Sequence, residues 1–452
     1  MSKLSVLLHC AGCGTAPSPG DPYPFRCPRA GTDDADHVMT VVIEGAAGQF
    51  PPADDPSPFV RYRDLSYSHA MALAHGLADT DYVALVRKLD GAAASIDGRG
   101  FAVTPFGPSV RLSEELGFSG GGQLWVKDET GNVSGSHKGR HLMGLLIYLE
   151  VLDRLNLIAR PPPDLAIASC GNAALAAAVV ARAGARRLRV FVPPTAPPSV
   201  VARLRALEAD VVVCPREPGA AGDPTYHRLQ AAVRAGAIPF TCQGPSNGLT
   251  IDGGKTLGYE IVSELARTRG MLDRVFIQVG GGALASACVQ AFEDAVRLGV
   301  LPRLPRLHAV QTERAHPLAR AYERLVRRIR LHAPPSHAGT PAVGDALAYA
   351  ATHRGEFMWP WETEPQSVAA GILDDETYDW LAVVQGMIRS GGYPILVSEA
   401  LLREANAKAV QATGVEVDET GSAGLAGVLA LQRRGRIGRH ERVAVLFTGA
   451  RR

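Results

Sequence analysis

Lysine is scarce in this 452-residue chain. Of 47 Lys and Arg residues, lysine occupies only positions 3, 88, 127, 138, 255 and 408. Almost every positive charge is therefore written as Arg, and a lysine inside a patterned segment stands out. The formal charge is +2 and no basic block exceeds a few residues, which argues against a nucleic-acid footprint. No apolar run reaches the roughly 18 residues that a membrane span requires, so no membrane partner is expected. The opening MSKLSVLLHCAGC has one lysine and too short an apolar core for a secretory signal. Seven cysteines, an odd number, do not suit a secreted disulfide framework. Together these absences point to a cytoplasmic protein. What is present is ordinary for a globular chain: 46% hydrophobic and 20% charged residues, with length enough for two domains.

Two of the lysines lie in residues 126–140, VKDETGNVSGSHKGR, directly before the apolar positions Leu142, Met143, Leu145, Leu146 and Ile147. The pattern predicts a strand over 124–127, a turn, and a helix with Lys138 in its first turn. Ser134 or Ser136 is the expected cap, because the first helical amides have no partner inside the helix. An amine at a helix N-terminus meets the positive end of the macrodipole, which favours the neutral form that Schiff-base chemistry needs. On spacing alone, a solvated surface lysine at a helix start explains the pattern more simply.

From residue 164 onward, strands alternate with helices. Short apolar runs at 165–168, 188–192, 211–214, 239–242, 274–279 and 307–312 read as buried strands. Helical patterns at 173–183, 200–207, 225–234, 255–267 and 283–297 lie between or beside them. Such alternation implies βαβ units and a parallel sheet, whose ligands bind beyond the carboxyl ends of the strands. Two motifs fall there. Ser169, Cys170, Gly171 and Asn172 follow a strand and open an alanine-rich helix, where free amides suit a carboxylate. The alternative is a tight turn that needs Gly171 for backbone reasons. Gly280, Gly281, Gly282, Ala283 and Leu284 again join strand to helix, and consecutive glycines let amides converge on a phosphate. A merely crowded turn is the competing explanation. Without a following Gly-Lys-Ser/Thr, this is not a Walker loop.

The lysine stretch resembles the motif of the fold-type II pyridoxal-phosphate enzymes, which include threonine synthase, serine and threonine dehydratases and cysteine synthase. Glu129, Asn132, Gly135, Ser136, Lys138 and Arg140 stand at the motif's places. Phe59-Val60-Arg61-Tyr62, Thr104-Pro105-Phe106, Gly253-Gly254-Lys255-Thr256 with Glu260, and SVAAGILDDETYD from Ser367 resemble further segments of that family. The resemblance covers most of 100–310 and 365–450. It implies an α/β fold of two doubly wound domains, tryptophan synthase β-like, within a catalytic region 58–450 whose smaller subdomain spans about 140–240. It implies Lys138 as the Schiff-base lysine of pyridoxal 5'-phosphate and as catalytic base. Ser169, Cys170, Gly171 and Asn172 would hold the substrate carboxylate, with Asn172 also facing the cofactor's phenolic oxygen. Residues Gly280 to Leu284 would form the phosphate cup. Thr448 would face the pyridine nitrogen, with Arg451 as an alternative. Lys255 would be structural.

Two departures bear on the reaction: His137 stands where Phe is usual, and Gly139 where Asp is usual. His137 would pack against the cofactor or its phosphate, where an imidazole adds a proton donor. A hydroxyl opposite the ring nitrogen leaves that nitrogen largely unprotonated, whereas a carboxylate would make a stronger electron sink. That favours elimination or replacement over transamination, and, since no clear second phosphate site for a γ-phosphorylated substrate is found, β-elimination from a hydroxy- or β-substituted amino acid is the expected reaction. The alternatives are a threonine synthase or β-replacement synthase using a second substrate, and, more remotely, a non-catalytic ligand sensor. A homodimer acting on a small amino acid is the expected assembly.

Outside this region, Cys10-Ala-Gly-Cys13 and Cys27-Pro in the N-terminal segment 1–57 look like a zinc-ribbon knuckle pair with one ligand missing, since Ala30 stands where the second partner of Cys27 belongs. Many threonine synthases begin with such a ribbon, here in degenerate form. His37 is the candidate fourth ligand; the alternative is a relic loop without metal. Residues 48–57 read as a linker. Within 316–364, AYERLVRRIRLH reads as a basic amphipathic helix with a solvated face, or as a lid or interface, before a Pro/Gly-rich loop.

Overall fold

In the computed structural model, the described residues are 4–45, 48, 50–51, 54–158, 160–216, 223–332 and 340–451. Parts of the expected 48–57 linker, and residues 333–339 of the expected Pro/Gly-rich loop, lie outside them. Twelve strands occur among the described residues: β1 Ser5–Cys10, β2 Met39–Glu44, β3 Phe106–Pro108, β4 Gln123–Asp128, β5 Leu165–Ala168, β6 Leu188–Val192, β7 Asp210–Val213, β8 Ile238–Pro239, β9 Arg274–Gln278, β10 Arg306–Thr312, β11 Ile395–Val397 and β12 Arg442–Phe447. They form three sheets. β1 and β2 make an antiparallel hairpin; a four-stranded sheet runs β7-β6-β5-β8; a six-stranded sheet runs β11-β10-β9-β12-β4-β3. Every pairing in the two larger sheets is parallel except β3 with β4.

The central strands are Val-, Ile- and Phe-rich and buried on both faces, as a sheet covered by helices on each side demands. The expected strand at 239–242 is the exception. β8 is only Ile238–Pro239, since Pro239 brings no N–H to the ladder and the chain leaves the sheet after Phe240 donates to the Ala166 carbonyl (2.8 Å). The helix Lys138–Arg154 packs against the helices Asn172–Ala183 and Leu249–Thr268. It touches the latter backbone to backbone: a Cβ on Gly144 would lie 2.6 Å from Gly253 Cα, so only glycine permits this approach.

The 316–364 region is ordered in its described parts. Leu318, Ala321 and Leu325 of the helix Pro317–His332 are buried with Ala346, Ala350, Phe357 and Trp380. Its arginines do not simply face solvent, for Arg320 lies 3.7 Å from the Trp359 ring centroid and Arg324 4.7 Å from it.

Candidate active site

Four segments meet at the carboxyl ends of parallel strands: the lysine loop after β4, Ser169 to Asn172 after β5, Gly280 to Gly282 after β9, and Thr448 after β12. The folding of 452 residues brings the first and last into contact. Ser136 bridges Gly449, the Ala450 amide donates to the Gly135 carbonyl (2.9 Å), and the His137 amide reaches the Thr448 carbonyl (3.4 Å). Asn172 arrives from the other sheet, its Nδ2 3.2 Å from where a Cβ on Gly449 would sit.

Lys138 is the first residue of its helix. Its N-cap is His137, not the expected serine. Ser136 is extended (φ −159°, ψ 161°) and spent on the bridge to Gly449, so tertiary pairing overrides its capping propensity. The three other lysines that bear on the choice are accounted for: Lys88 is exposed, Lys127 is ion-paired to Glu260, and Lys255 to Asp294 (2.8 Å). The Lys138 amine has no hydrogen-bond or ion-pair partner among the described residues. It is half-buried and acts electrostatically on His137, Cys242, Asp374 and Asp379, which places those groups around it.

Behind the lysine, Arg140 is clamped by two carboxylates. Its Nε and Nη2 donate to Glu129 (2.8 and 2.9 Å), and its Nη1 to Glu260 (2.6 Å). Lys127 donates to Glu260 and to the Thr104 carbonyl (2.7 Å), and Asn132 to Glu129 (3.0 Å). All four charged side chains are at most 1% exposed. Burial alone would push Arg140 towards neutrality, but Glu129 and Glu260 hold it above its ordinary range. This network fixes the turn that presents Lys138.

At the carboxylate loop, Gly171 is exposed and has φ −126°, and nothing lies within 4 Å of an added Cβ. Neither strain nor crowding explains the glycine, so the tight-turn alternative loses its reason. The Gly171 amide donates to Ser169 Oγ (3.3 Å), which preforms the loop.

The glycine loop is crowded, by segment 372–379. Gly282 has φ +96°, and added Cβ atoms on Gly281 and Gly282 would each meet that segment at 2.9 Å, on Tyr378 and Thr377. Asp374 presses its carboxylate on Gly280. Burial pushes that carboxyl up, while Lys138 and the Gly281 amide favour its charged form. A carboxylate on the Gly281 amide is a stand-in for an anionic group, so the loop fits a phosphate, which would compete with Asp374 for that amide. The helix Ala283–Arg297 begins here, adding unpaired amides at its N-terminus. Asp379 lies alongside. Burial pushes its carboxyl up to about 7, against the Gly244 amide and Lys138, and its Oδ1 has no partner.

Thr448 is 3% exposed and accepts a hydrogen bond from Gln278 Nε2 (2.6 Å). The same amide nitrogen faces the carbonyls of Gly421 (2.7 Å) and Leu446 (3.1 Å), which fixes the NH2 end on this side. The Thr448 proton is therefore free for another acceptor. Arg451 turns away, to Asn406 Oδ1 (2.8 Å) and the Glu416 carbonyl (2.8 Å), and drops out as a ring partner. At His137, burial, then Lys138, push the imidazole pKa well below its ordinary value, its Nδ1 faces the Thr448 carbonyl (3.4 Å), and its buried Nε2 has no partner among the described residues.

Sequence reasoning missed Gln278, Asp374 and Asp379 as site residues. A signal existed for Gln278, the one polar side chain closing the apolar run Val275-Phe276-Ile277. The two aspartates sit in a segment read only for its resemblance.

These features define an α/β protein with a glycine loop suited to an anionic group and, near it, a lysine amine unpaired among the described residues. The chain belongs to the pyridoxal-phosphate-dependent enzymes, the family that matches residues 99–449, and its cofactor is pyridoxal 5'-phosphate. The chain is similar to the threonine synthase of Methanocaldococcus jannaschii, 22% identical over 347 residues, covering 76% of this chain and 74% of that protein. Among solved structures it resembles a T.th. threonine deaminase (TM-score 0.57, 22% identity, 81% and 98% coverage). It also resembles diaminopropionate ammonia lyase of Escherichia coli (TM-score 0.58, 16% identity, 91% and 95% coverage). The fold is that of the fold-type II branch. No helix among the described residues is long and apolar enough to cross a membrane.

Proposed function

We propose that this protein is a lyase that removes the β-substituent of a hydroxy- or β-substituted amino acid. The observation that carries this reading is the Gln278–Thr448 pair. Because the amide can only donate to the hydroxyl, the hydroxyl in turn donates, and a ring nitrogen facing it is met by a neutral donor (2.6 Å between Gln278 and Thr448). When bound, pyridoxal phosphate supplies the electron sink for charge developing at the substrate α-carbon, and a neutral partner makes that sink a weak one that favours expulsion of a β-leaving group.

The chain's own residues divide the remaining work. Lys138, without a competing partner, would hold the cofactor covalently, and its amine would serve as the base that takes the substrate α-proton. Ser169, Cys170, Gly171 and Asn172 orient the carboxylate with preformed amides. Gly280 to Leu284 hold the phosphate. Similarity to a threonine synthase favours the second reading, a threonine synthase or a β-replacement synthase using a second nucleophile substrate. The catalytic region is taken as 58–450, with a smaller subdomain over about 140–240, in a cytoplasmic homodimer; light scattering tests the assembly.

The test is an absorbance spectrum of the purified protein and of Lys138→Ala. The lyase reading expects the near-visible band of a lysine-bound cofactor in the wild type, its loss in the variant, and release of a 2-oxo acid and ammonia from one amino acid alone. Keto acid that never forms without a second nucleophile would shift the assignment to a synthase. A wild type that stays colourless with added cofactor would leave the ligand sensor.

A further inference from the structure

Away from the cleft, the N-terminal segment gathers four ligands that the cofactor chemistry does not use. Cys10 ends β1, Cys13 follows in the turn, Cys27 lies in the next loop, and His37 stands two residues before β2. Their ligand atoms all lie within 4.8 Å of one another. Cys10 Sγ is 3.6 Å from His37 Nδ1, and Cys13 Sγ is 3.6 Å from Cys27 Sγ. Around tetrahedral zinc, with Zn–S near 2.3 Å, neighbouring ligand atoms stand roughly 3.5 to 3.8 Å apart. A disulfide would need about 2 Å. Cys10, Cys27 and His37 are buried and Cys13 half-buried. The tautomer is set too: His37 Nε2 donates to Asp33 Oδ1 (2.8 Å), leaving the Nδ1 lone pair towards the thiols, the carboxylate–histidine arrangement of metal sites. Ala30 keeps the knuckle turn, its amide donating to the Cys27 carbonyl (2.9 Å), but His37 replaces its missing ligand.

The loop that carries His37 also grips a distant segment. The Asp34 carbonyl accepts from the Arg354 amide (2.8 Å) and its carboxylate from the Gly355 amide (3.0 Å). Asp36 accepts from Trp380 Nε1 (3.1 Å) and pairs with Arg354 (3.4 Å), which also binds Glu376. That segment in turn rests on the glycine loop, Thr377 Oγ1 donating to the Gly280 carbonyl (2.9 Å) and the Asp379 amide to the Gly281 carbonyl (3.0 Å).

We propose that Cys10, Cys13, Cys27 and His37 bind a zinc ion that holds the 33–37 loop and, through Asp34 and Asp36, braces segment 353–380 over the glycine loop. The metal site stands independently of the reaction proposed above; only the significance of the braced loop rests on it.

Metal analysis of the full-length protein, grown with zinc and dialysed, tests the first half. Stoichiometric zinc is expected in the wild type, with loss in Cys27→Ser and His37→Ala and recovery in His37→Cys, which keeps a ligand at that position. A variant that failed to fold for other reasons would not be rescued in this way. Trace zinc in the wild type, or full zinc in His37→Ala, overturns the site. Hydrogen–deuterium exchange of the wild type before and after chelation tests the second half and needs no catalysis. A severalfold rise in exchange over 353–380, with none in the helix Glu399–Thr413, is expected. Unchanged exchange over 353–380 after complete zinc removal refutes the brace.

Discussion

Replacing Glu260 by Gln removes one charge from a buried set that is otherwise balanced, Lys127 and Arg140 against Glu129 and Glu260. The substitution keeps the shape and one acceptor oxygen for Thr104 and Arg140 Nη2, while its NH2 replaces the oxygen that accepts from Arg140 Nη1 (2.6 Å), so a lost hydrogen bond adds to the lost charge. A buried, uncompensated positive charge costs about 3 to 5 kcal/mol. In a catalytic region of roughly 400 residues, whose unfolding entropy is about 0.8 kcal/mol/K, that corresponds to a melting temperature lower by about 4 to 6 °C. The double variant Lys127→Met/Glu260→Gln restores one-to-one pairing of Arg140 with Glu129 and should recover most of the loss. It should fall short by about 1 kcal/mol, because the Thr104 carbonyl loses its donor. Thermal and guanidinium unfolding of the three proteins measure this. Because Glu129 also holds Asn132, and Asn132 the Ser136 carbonyl (3.3 Å), the single variant should retain cofactor less well. A loss under about 1 kcal/mol in the single variant, or a double variant no more stable than the single, would refute charge balance as the organising principle of this network.

Asp379 gives a pH signature. Its carboxyl is raised from the usual 3.8 to about 7, so between those values the folded state holds a proton that the unfolded chain has released. Stability from this group is therefore full below about pH 4, falls as pH rises to about 7, and changes no further above; the span is worth at most about 4 kcal/mol. Asp379→Asn should flatten that decline in denaturation curves taken from about pH 4 to 8, and an unchanged profile would remove Asp379 as its source. Gln278→Leu removes the side-chain donor from the Gly421 and Leu446 carbonyls, with the Thr448 amide still donating to Gly421 (3.3 Å), and the Thr448 hydroxyl loses the donor that orients it. Turnover should drop about tenfold, the worth of one hydrogen bond of about 1.4 kcal/mol, with the lysine-bound cofactor band retained. A wild-type turnover number in that variant would show that the orientation of Thr448 does not matter.

Much of the site could be read along the chain because its parts are local. A glycine run between an apolar strand and a helix, or a lysine at a helix start, is a feature of a short run of consecutive residues. The serine cap shows where such reading fails: Ser136 has the right chemistry for a cap, but its backbone is taken by Gly449, far away in sequence. His37 shows the same from the other side. Its distance from Cys27 left the ligand set open, and only the pairing of β1 with β2 brings Nδ1 to Cys10.

What the sequence by itself determined was the order of strands and helices and the four segments that end at strand termini, because apolar periodicity and glycine placement are properties of neighbours. The tertiary structure alone decided which polar groups face one another: Gln278 with Thr448, Arg140 with Glu260, Asp374 with Gly280 and Asp36 with Trp380. The members of each pair lie far apart along the chain. A buried donor or charge must find a partner somewhere in the folded core, yet nothing in its own neighbourhood says which one.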